Sequence, residues 1–291
     1  MIVGDIGDRE LVADVIRANN VETIFHFAGR VIVSESFSDP LSYYLHNTIK
    51  AQSLIQTAVQ GGVQNFVFSS TAAVYARSDE PRVSETSALG PISPYGRSKL
   101  MTEDILRDAC LAHGMKFAIL RYFNVAGADP QMRLGQSTRN ATHLIKQGLS
   151  AALGTKDHID IYGDDYDTPD GTCIRDFIHV ADLASAHVSA LSYLRSGGEN
   201  IVLNCGYGKG YSVMEVLEAI EAIIGRPLNK RAASRRIGDL VSVVSDNQRL
   251  LDIGWKPQHD RLSTIIDHAY QLEKRLSAKR SSCDEGPAER L

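Results

Sequence analysis

Short apolar runs alternate along the chain with longer stretches in which apolar residues recur every three or four positions. The runs Thr23-Ile24-Phe25-His26-Phe27-Ala28, Phe66-Val67-Phe68-Ser69-Ser70, Phe117-Ala118-Ile119-Leu120-Arg121, Phe177-Ile178-His179-Val180 and Ile201-Val202-Leu203-Asn204 are near-continuous rather than alternating. That is the pattern of parallel strands covered on both faces. Residues 1–4 read as the end of one more strand, stopping at Asp5. Helical spacing covers residues 8–19, through Leu11, Val12, Val15 and Ile16, and residues 40–60, from Pro40 in a first turn to the Gly61-Gly62 stop. Ser93 and Pro94 open a helix that runs to His113-Gly114, and Val213–Ile224 forms another before Gly225-Arg226-Pro227. Strands alternating with helices of this length predict right-handed crossovers and an α/β fold built on a doubly wound parallel sheet. Gly163–Gly171 is a loop by composition, and the polar stretch 274–291, with little to bury, is expected to fray. In such sheets ligands bind beyond the carboxyl ends of the strands. Those ends are Asp5, Ala28-Gly29, Ser69-Ser70-Thr71 and Tyr122-Phe123-Asn124.

Composition narrows the partners. The 291 residues are 43% hydrophobic and 23% charged, an ordinary globular balance with room for one large domain or two smaller ones. A net charge of −4 argues against a nucleic-acid binder. Cys110, Cys173, Cys205 and Cys283 are far apart and form no C-x-x-C pair, so free thiols in a reducing cytoplasm are expected rather than disulfides or a zinc site. His179 and His187 lack partners at metal-site spacing and read as packing histidines, so no metal is expected. No run of about 18 apolar residues predicts a membrane span. The first residues have neither the basic nor the apolar part of a signal peptide.

The chemistry begins at Tyr95-Gly96-Arg97-Ser98-Lys99. A spacing of four puts the phenol and the ammonium on one helix face. A free tyrosine is too weak an acid to serve as a base at neutral pH, and a neighbouring ammonium favours its phenolate. About two dozen residues upstream a strand ends in Ser69-Ser70-Thr71, whose hydroxyls are placed to bind a substrate oxygen beside that tyrosine.

This layout resembles the extended short-chain dehydrogenase/reductase family, and within it the UDP-glucose 4-epimerases. Ser69-Ser70-Thr71-Ala72-Ala73-Val74-Tyr75 resembles S-S-x-x-x-V-Y-G, with Ala76 in place of the glycine, and Ser93-Pro94-Tyr95-Gly96-Arg97-Ser98-Lys99 resembles S-P-Y-G-x-S-K. Leu120-Arg121-Tyr122-Phe123-Asn124 continues to Gly127-Ala128 as in L-R-Y-F-N-x-x-G-A, and the whole stretch from Ile161 to Ala184 is close to the epimerase signature. The resemblance implies a Rossmann-like NAD domain over 1–125, a smaller part over 126–273 that binds the UDP-sugar, and a return to the NAD domain by 174–205. It implies that Tyr95 is the acid/base, that Lys99 binds the nicotinamide ribose and tunes Tyr95, and that Thr71 binds the sugar 4-hydroxyl. Asp5, Ile6, Phe27, Ala28, Gly29, Asn47, Ser69 and Tyr122 would line the NAD site, Asp5 otherwise reading as a helix cap and Asn47 as a helix-surface amide. Asn124, Arg236 and Asp239 would bind the UDP-sugar, whereas Arg175 and Asp176 read as a structural ion pair. The implied reaction interconverts UDP-glucose and UDP-galactose through a 4-keto sugar with NAD as cofactor. Implied too are a cytoplasmic homodimer and tolerance of UDP-N-acetylhexosamines, because Val243 falls where some epimerases carry a tyrosine. Two rivals are a sister nucleotide-sugar dehydratase, which the alanines Ala72 and Ala73 disfavour, and a remnant that only binds UDP-sugar.

The family opens with a strand, a G-x-x-G-x-x-G turn and a helix that together hold the cofactor pyrophosphate, and this sequence begins beyond them. The expectation is a sheet incomplete at its N-terminus and a chain that, as it stands, does not retain NAD. Val31 also replaces a lysine common in the family, and Arg30 is expected to compensate.

Overall fold

The computed structural model describes residues 1–78, 80–138 and 141–284. In chain order, α1 (Arg9–Asn19), β1 (Thr23–His26), α2 (Val33–Ser38) and α3 (Pro40–Tyr44) lead into a wide π-turn, Leu45–Ile49, and α4 (Lys50–Gln60). Then come β2 (Asn65–Thr71), α5 (Pro94–His113), β3 (Lys116–Tyr122), β4 (Asn124–Ala126), α6 (Leu144–Ala152) and β5 (Ile159–Tyr162). These are followed by β6 (Ile174–His179), α7 (Val180–Arg195), β7 (Ile201–Cys205), β8 (Gly210–Ser212) and α8 (Val213–Ile224). The chain closes with β9 (Lys230–Ala233), β10 (Ser242–Val243), α9 (Gln248–Asp252) and α10 (Leu262–Asp284).

These elements group into two compact units. The first comprises Met1–Phe123, Ser185–Gly208 and Val243–Lys256; the second comprises Asn124–Ala184, Lys209–Ser242 and Pro257 onward. The returning segment thus starts at Ser185 rather than at 174, because β6 is bonded to β4 and β8 of the second unit. A further return, Val243–Lys256, carries no sequence signal strong enough to predict it.

The first unit is built on a parallel sheet in the order β1-β2-β3-β7. Every residue of β2 is buried, as its apolar run predicts. Ile16 of α1, Leu54, Ile55 and Ala58 of α4, and Leu106 and Cys110 of α5 pack with Phe66, Phe68, Phe117 and Ile119 in one core. Helices α1 and α5 carry their end signals in the sequence. Asp8 accepts from the Leu11 N–H to cap α1, Ser93 accepts from the Gly96 N–H to cap α5, and Gly114 closes α5 in the left-handed region.

The second unit holds the parallel pair β4-β6, with β8 antiparallel to β6, and a second parallel pair, β5-β9. Its helix α8 starts with a reciprocal capping box between Ser212 and Glu215.

Three expectations need correction. Residues 1–4 are not a strand; Met1, Ile2 and Val3 are exposed, and no strand lies beyond β1 for them to pair with among the described residues. The strand over 23–28 stops at His26, because it is an edge strand whose ladder to β2 ends there. The polar stretch from Lys274 does not fray at once; α10 continues through it to Asp284, and the residues after that lie outside the described ones.

Candidate active site

The carboxyl end of β2 and the first turns of α5 are brought together by a missing side chain. A Cβ on Gly96 would lie 2.2 Å from the Ala73 carbonyl oxygen, so only glycine lets the helix start this close to the strand exit. The result is a buried cluster of Thr71, Tyr95 and Lys99. The Thr71 hydroxyl hydrogen-bonds the Tyr95 phenol and also accepts from the Ala73 N–H at 3.2 Å. Burial raises the Tyr95 pKa, and the bond to Thr71 works against that rise.

The Lys99 ammonium donates to the Ser69 carbonyl at 2.8 Å and sits 4.9 Å from the centre of the Phe68 ring. Burial lowers its pKa to about 8, while the charge of Glu103 opposes the fall. It therefore remains mostly protonated at neutral pH, as a group that favours phenolate must.

Glu103 is itself fully buried and held from two strands. Arg121 of β3 donates to both of its oxygens, at 3.0 and 2.7 Å, and the Ser70 hydroxyl of β2 donates to one of them. Sequence reasoning missed Glu103, which passes for an ordinary charged helix residue. The signal was Arg121, a charge closing an otherwise apolar strand.

The residues expected to line the cofactor site fall into two groups. Ser69 and Tyr122 close the ends of neighbouring strands: the Ser69 hydroxyl donates to the His26 carbonyl at 2.8 Å, and the Tyr122 hydroxyl lies 2.6 Å from His187 Nε2. Phe27, Ala28 and Gly29 are exposed as they leave β1, with Phe27 stacked on Phe25. A Cβ on Gly29, whose φ is +150°, would lie 2.8 Å from Asn47 Oδ1 and 3.7 Å from Lys99 Nζ. Asp5 is not the cap of α1; it accepts from the Gly7 N–H and pairs with Lys50. Ile6 packs against the core. Asn47 is buried rather than on the helix surface. The Arg30 guanidinium pairs with Glu35 at 3.1 Å and Asp39 at 3.4 Å and lies over the Tyr43 ring.

In the second unit, Arg175, Arg236 and Asp239 converge. Asp239 lies 3.5 Å from Arg175 and 3.6 Å from Arg236. Arg236 lies 4.1 Å from the centre of the Tyr162 ring, and Arg235 lies 4.0 Å from that of Tyr166. Arg175 thus has Asp239 as an ion-pair partner. Asn124 begins β4, opposite Phe177 of β6.

Among the described residues no cluster of histidine, cysteine or carboxylates is placed to hold a metal, and no helix is long and apolar enough to cross a membrane.

Comparison with known proteins decides the family. The NAD dependent epimerase/dehydratase family matches residues 1–206. The chain is 49% identical over 277 residues to the UDP-glucose 4-epimerase of Azospirillum brasilense, covering 95% of this chain and 80% of that protein. The chain belongs to the NAD dependent epimerase/dehydratase family. Among solved structures of this family, it superposes on the UDP-Glc/GlcNAc 4-epimerase of Campylobacter jejuni with a TM-score of 0.80 at 47% identity, covering 94% of this chain and 83% of that one. The UDP-glucose 4-epimerase of Bifidobacterium longum in complex with NAD+ and UDP gives a TM-score of 0.89 at 35% identity, over 94% and 82%.

The residues present fit the family's cofactor at its nicotinamide-ribose end. The buried ammonium of Lys99 and the hydroxyls of Ser69 and Tyr122 offer polar contacts, and the absence of a Cβ at Gly29 lets the backbone after β1 pass close to Asn47 beside them.

His26 forms the other flank of Lys99. It is buried between the rings of Phe66 and Phe68, its Nε2 has no partner, and burial together with the Lys99 charge lowers its pKa from 6.5 to about 3. Between those two values the unfolded chain binds a proton that the folded chain refuses, so stability falls as pH drops from about 6.5 towards 3. His26→Phe is therefore expected to be at least as stable as wild type at pH 7 and more stable at pH 5. Denaturation midpoints at the two pH values check this; an unchanged gap between them would remove His26 as the cause.

Proposed function

We propose that the protein is a UDP-glucose 4-epimerase, interconverting UDP-glucose and UDP-galactose with NAD as cofactor. The observation that carries this reading is the Tyr95 phenol bonded to Thr71 at the end of β2, on the same face of α5 as the buried Lys99 ammonium.

Thr71 holds the sugar 4-hydroxyl against Tyr95, and Tyr95 takes its proton and later returns it. Lys99 keeps a positive charge close enough to stabilise the phenolate. Burial raises the Tyr95 pKa, and the protonated Lys99 ammonium would offset that rise so that the phenolate can take the 4-hydroxyl proton; the same proton goes back to the oxygen on the return step. NAD, when bound, would supply the acceptor and donor of the C4 hydride. Arg236, aided by Arg175, would hold the diphosphate, because a guanidinium fork matches phosphate oxygens. Asp239 would bind the uridine ribose and Asn124 the sugar or diphosphate. Asp5, Ile6, Phe27, Ala28, Gly29, Asn47, Ser69 and Tyr122 form the cofactor side. Gripping UDP while leaving the hexose few fixed contacts lets the 4-keto sugar turn over and accept hydride on its other face. The test is conversion of UDP-galactose to UDP-glucose with added NAD; consumption of NAD in step with substrate would mean a dehydrogenase instead.

The reading extends to UDP-N-acetylhexosamines. Val243 is partly buried against the cluster of Ala72, Val74, Tyr75, Val83 and Phe123, which includes the residue after Thr71, and is smaller than a tyrosine. The Campylobacter jejuni relative, named for both UDP-Glc and UDP-GlcNAc, supports the extension. Val243→Tyr is expected to depress turnover of UDP-GlcNAc more than that of UDP-glucose; equal effects on both would contradict it.

The reading also includes a cytoplasmic homodimer. Leu41, Leu45 and Ile49 are exposed at every fourth position along 40–60, as is Met101 on α5. Such a stripe is best covered by a second copy, and light scattering at twice the monomer mass is the expected result.

A further inference from the structure

Three histidines of the second unit stand together: His179 at the end of β6, His259 in the segment before α10, and His268 on α10. Their ring centres lie 4.5, 5.2 and 5.4 Å apart. His179 is fully buried and His268 partly so. Gly127 lets the loop after β4 close over the first ring, since a Cβ there would lie 2.7 Å from His179 Cδ2. Asp182 of α7 accepts from the Gln258 N–H at 3.0 Å and from the His259 N–H at 2.8 Å, which ties down the segment before α10. The proposed reaction uses none of these groups.

The hydrogen bonds fix where two of the rings carry their protons. The Ala181 N–H donates to His179 Nδ1 at 3.0 Å, so that nitrogen is bare and the ring proton sits on Nε2. His179 Nε2 lies 3.0 Å from His268 Nδ1. It donates there, so His268 Nδ1 is bare as well, and a neutral His268 carries its proton on Nε2. The chain of bonds runs one way, from Ala181 to His179 to His268, and it exists only while both rings are neutral. A proton added to His268 Nδ1 sets one N–H against another. A proton added to His179 Nδ1 does the same against Ala181.

The surroundings resist that proton. Burial, then the charges of His259 and His268, lower the His179 pKa from 6.5 to about 4, against the pull of Asp182 and Asp129. Burial and then His259 lower that of His268, against Asp267 and Asp129. Asp129 is itself engaged by Arg133, and α10 is also tied to α6 by the pair Lys146–Glu273. His143, beside Gly127 and Ala269 in the gap between β4 and α10, is lowered by burial too. The folded protein thus refuses protons that freed rings accept below about 6.5, and the closed arrangement loses ground as pH falls from there.

We propose that the His179–His268 pair is an acid-sensitive latch: neutral, it fastens α10 to the end of β6, and protonated, it lets α10 lift. Helix α10 packs on β4 and β6, which carry Asn124 and Arg175, so opening in acid would weaken the grip on UDP. That consequence rests on the functional reading; the latch itself does not.

The experiment compares the full-length wild type with His268→Asn at pH 7.5 and 5.5, without added nucleotide. Asparagine puts an acceptor oxygen where Nδ1 was and takes up no proton. In wild type at pH 7.5, ring-nitrogen NMR shifts are expected to show both His179 and His268 as the Nε2–H tautomer. Amide protection factors at Ala181, Ile265 and Ile266 are expected to fall at least about tenfold at pH 5.5, the share of one histidine freed a full pH unit below its ordinary pKa. In His268→Asn that fall should be at least about threefold smaller, whereas the change at Phe66 and Ile119, in the first unit, should match wild type. UDP-glucose affinity, measured by calorimetry, should weaken in acid more in wild type than in the variant. An Nδ1–H tautomer in either ring would overturn the latch from wild type alone, and so would equal falls in protection in the two proteins. If UDP-glucose binds at neither pH, the functional reading fails, and the tautomers and the exchange data still decide the latch.

Discussion

Tyr95→Phe is expected to lower turnover of UDP-galactose by at least about 100-fold, the low end for a general acid–base group. The substitution removes one oxygen from a residue that is 8% exposed, so packing is kept. What disappears is the group that bonds Thr71 and shares a helix face with Lys99. With no acid/base at the 4-hydroxyl, water would have to take the proton from a site that Thr71, Lys99 and the wall of α5 keep largely closed. The Arg236–Asp239 pair is untouched, so UDP should inhibit the variant as well as it inhibits wild type. Turnover within about threefold of wild type would remove Tyr95 from the mechanism.

Glu103→Leu is expected to cost about 3–5 kcal/mol of folding stability, the range for breaking a buried ion pair from one side. Arg121 is 1% exposed and gives two hydrogen bonds to Glu103; its other two, to the Tyr75 hydroxyl at 3.1 Å and the Glu85 carbonyl at 3.4 Å, go to neutral groups. Removing the carboxylate leaves the Arg121 guanidinium and the Lys99 ammonium buried without their shared counter-charge. The loss would be a large share of the total of about 5–15 kcal/mol typical of a folded domain. Glu103→Leu combined with Arg121→Met should recover most of it, because two apolar residues of similar volume leave no charge stranded. Urea denaturation at pH 7 measures both variants. A loss under about 1 kcal/mol in the single variant would mean that solvent reaches Arg121 and the pair is not the anchor described here.

The parts of the fold legible in the sequence were those where a local rule and a long-range contact agree. Helix α5 was delimited at both ends because Ser93, Pro94 and Gly114 each do a local job that the structure retains. Strand β2 was legible because a strand buried on both faces needs an unbroken apolar run. Residues 1–4 have the same apolar character, yet they form no strand, since a strand exists only with a partner. Helix α10 outlasted its apolar pattern because a helix once nucleated continues cheaply through polar residues.

In the site, Tyr95, Lys99 and Thr71 were found from spacing and from the position of a strand end. Glu103 and Arg175 were not, because a charge gains its meaning from partners distant in sequence: Arg121 is 18 residues from Glu103, and Asp239 is 64 residues from Arg175. The burial of Asn47 was equally hidden. A four-residue repeat at 43, 47, 51 and 55 does not fit the α-helical period, and only the wide turn at Leu45–Ile49 reconciles them.

The central claim is that Tyr95 handles only the proton on the sugar oxygen, while the hydrogen on C4 leaves and returns without meeting solvent. Converting UDP-galactose in deuterium oxide and reading the C4 position of the UDP-glucose formed by NMR tests it directly. The account predicts conversion with protium retained at C4. Deuterium at C4 in stoichiometric amount, or conversion that persists undiminished in Tyr95→Phe, would contradict it.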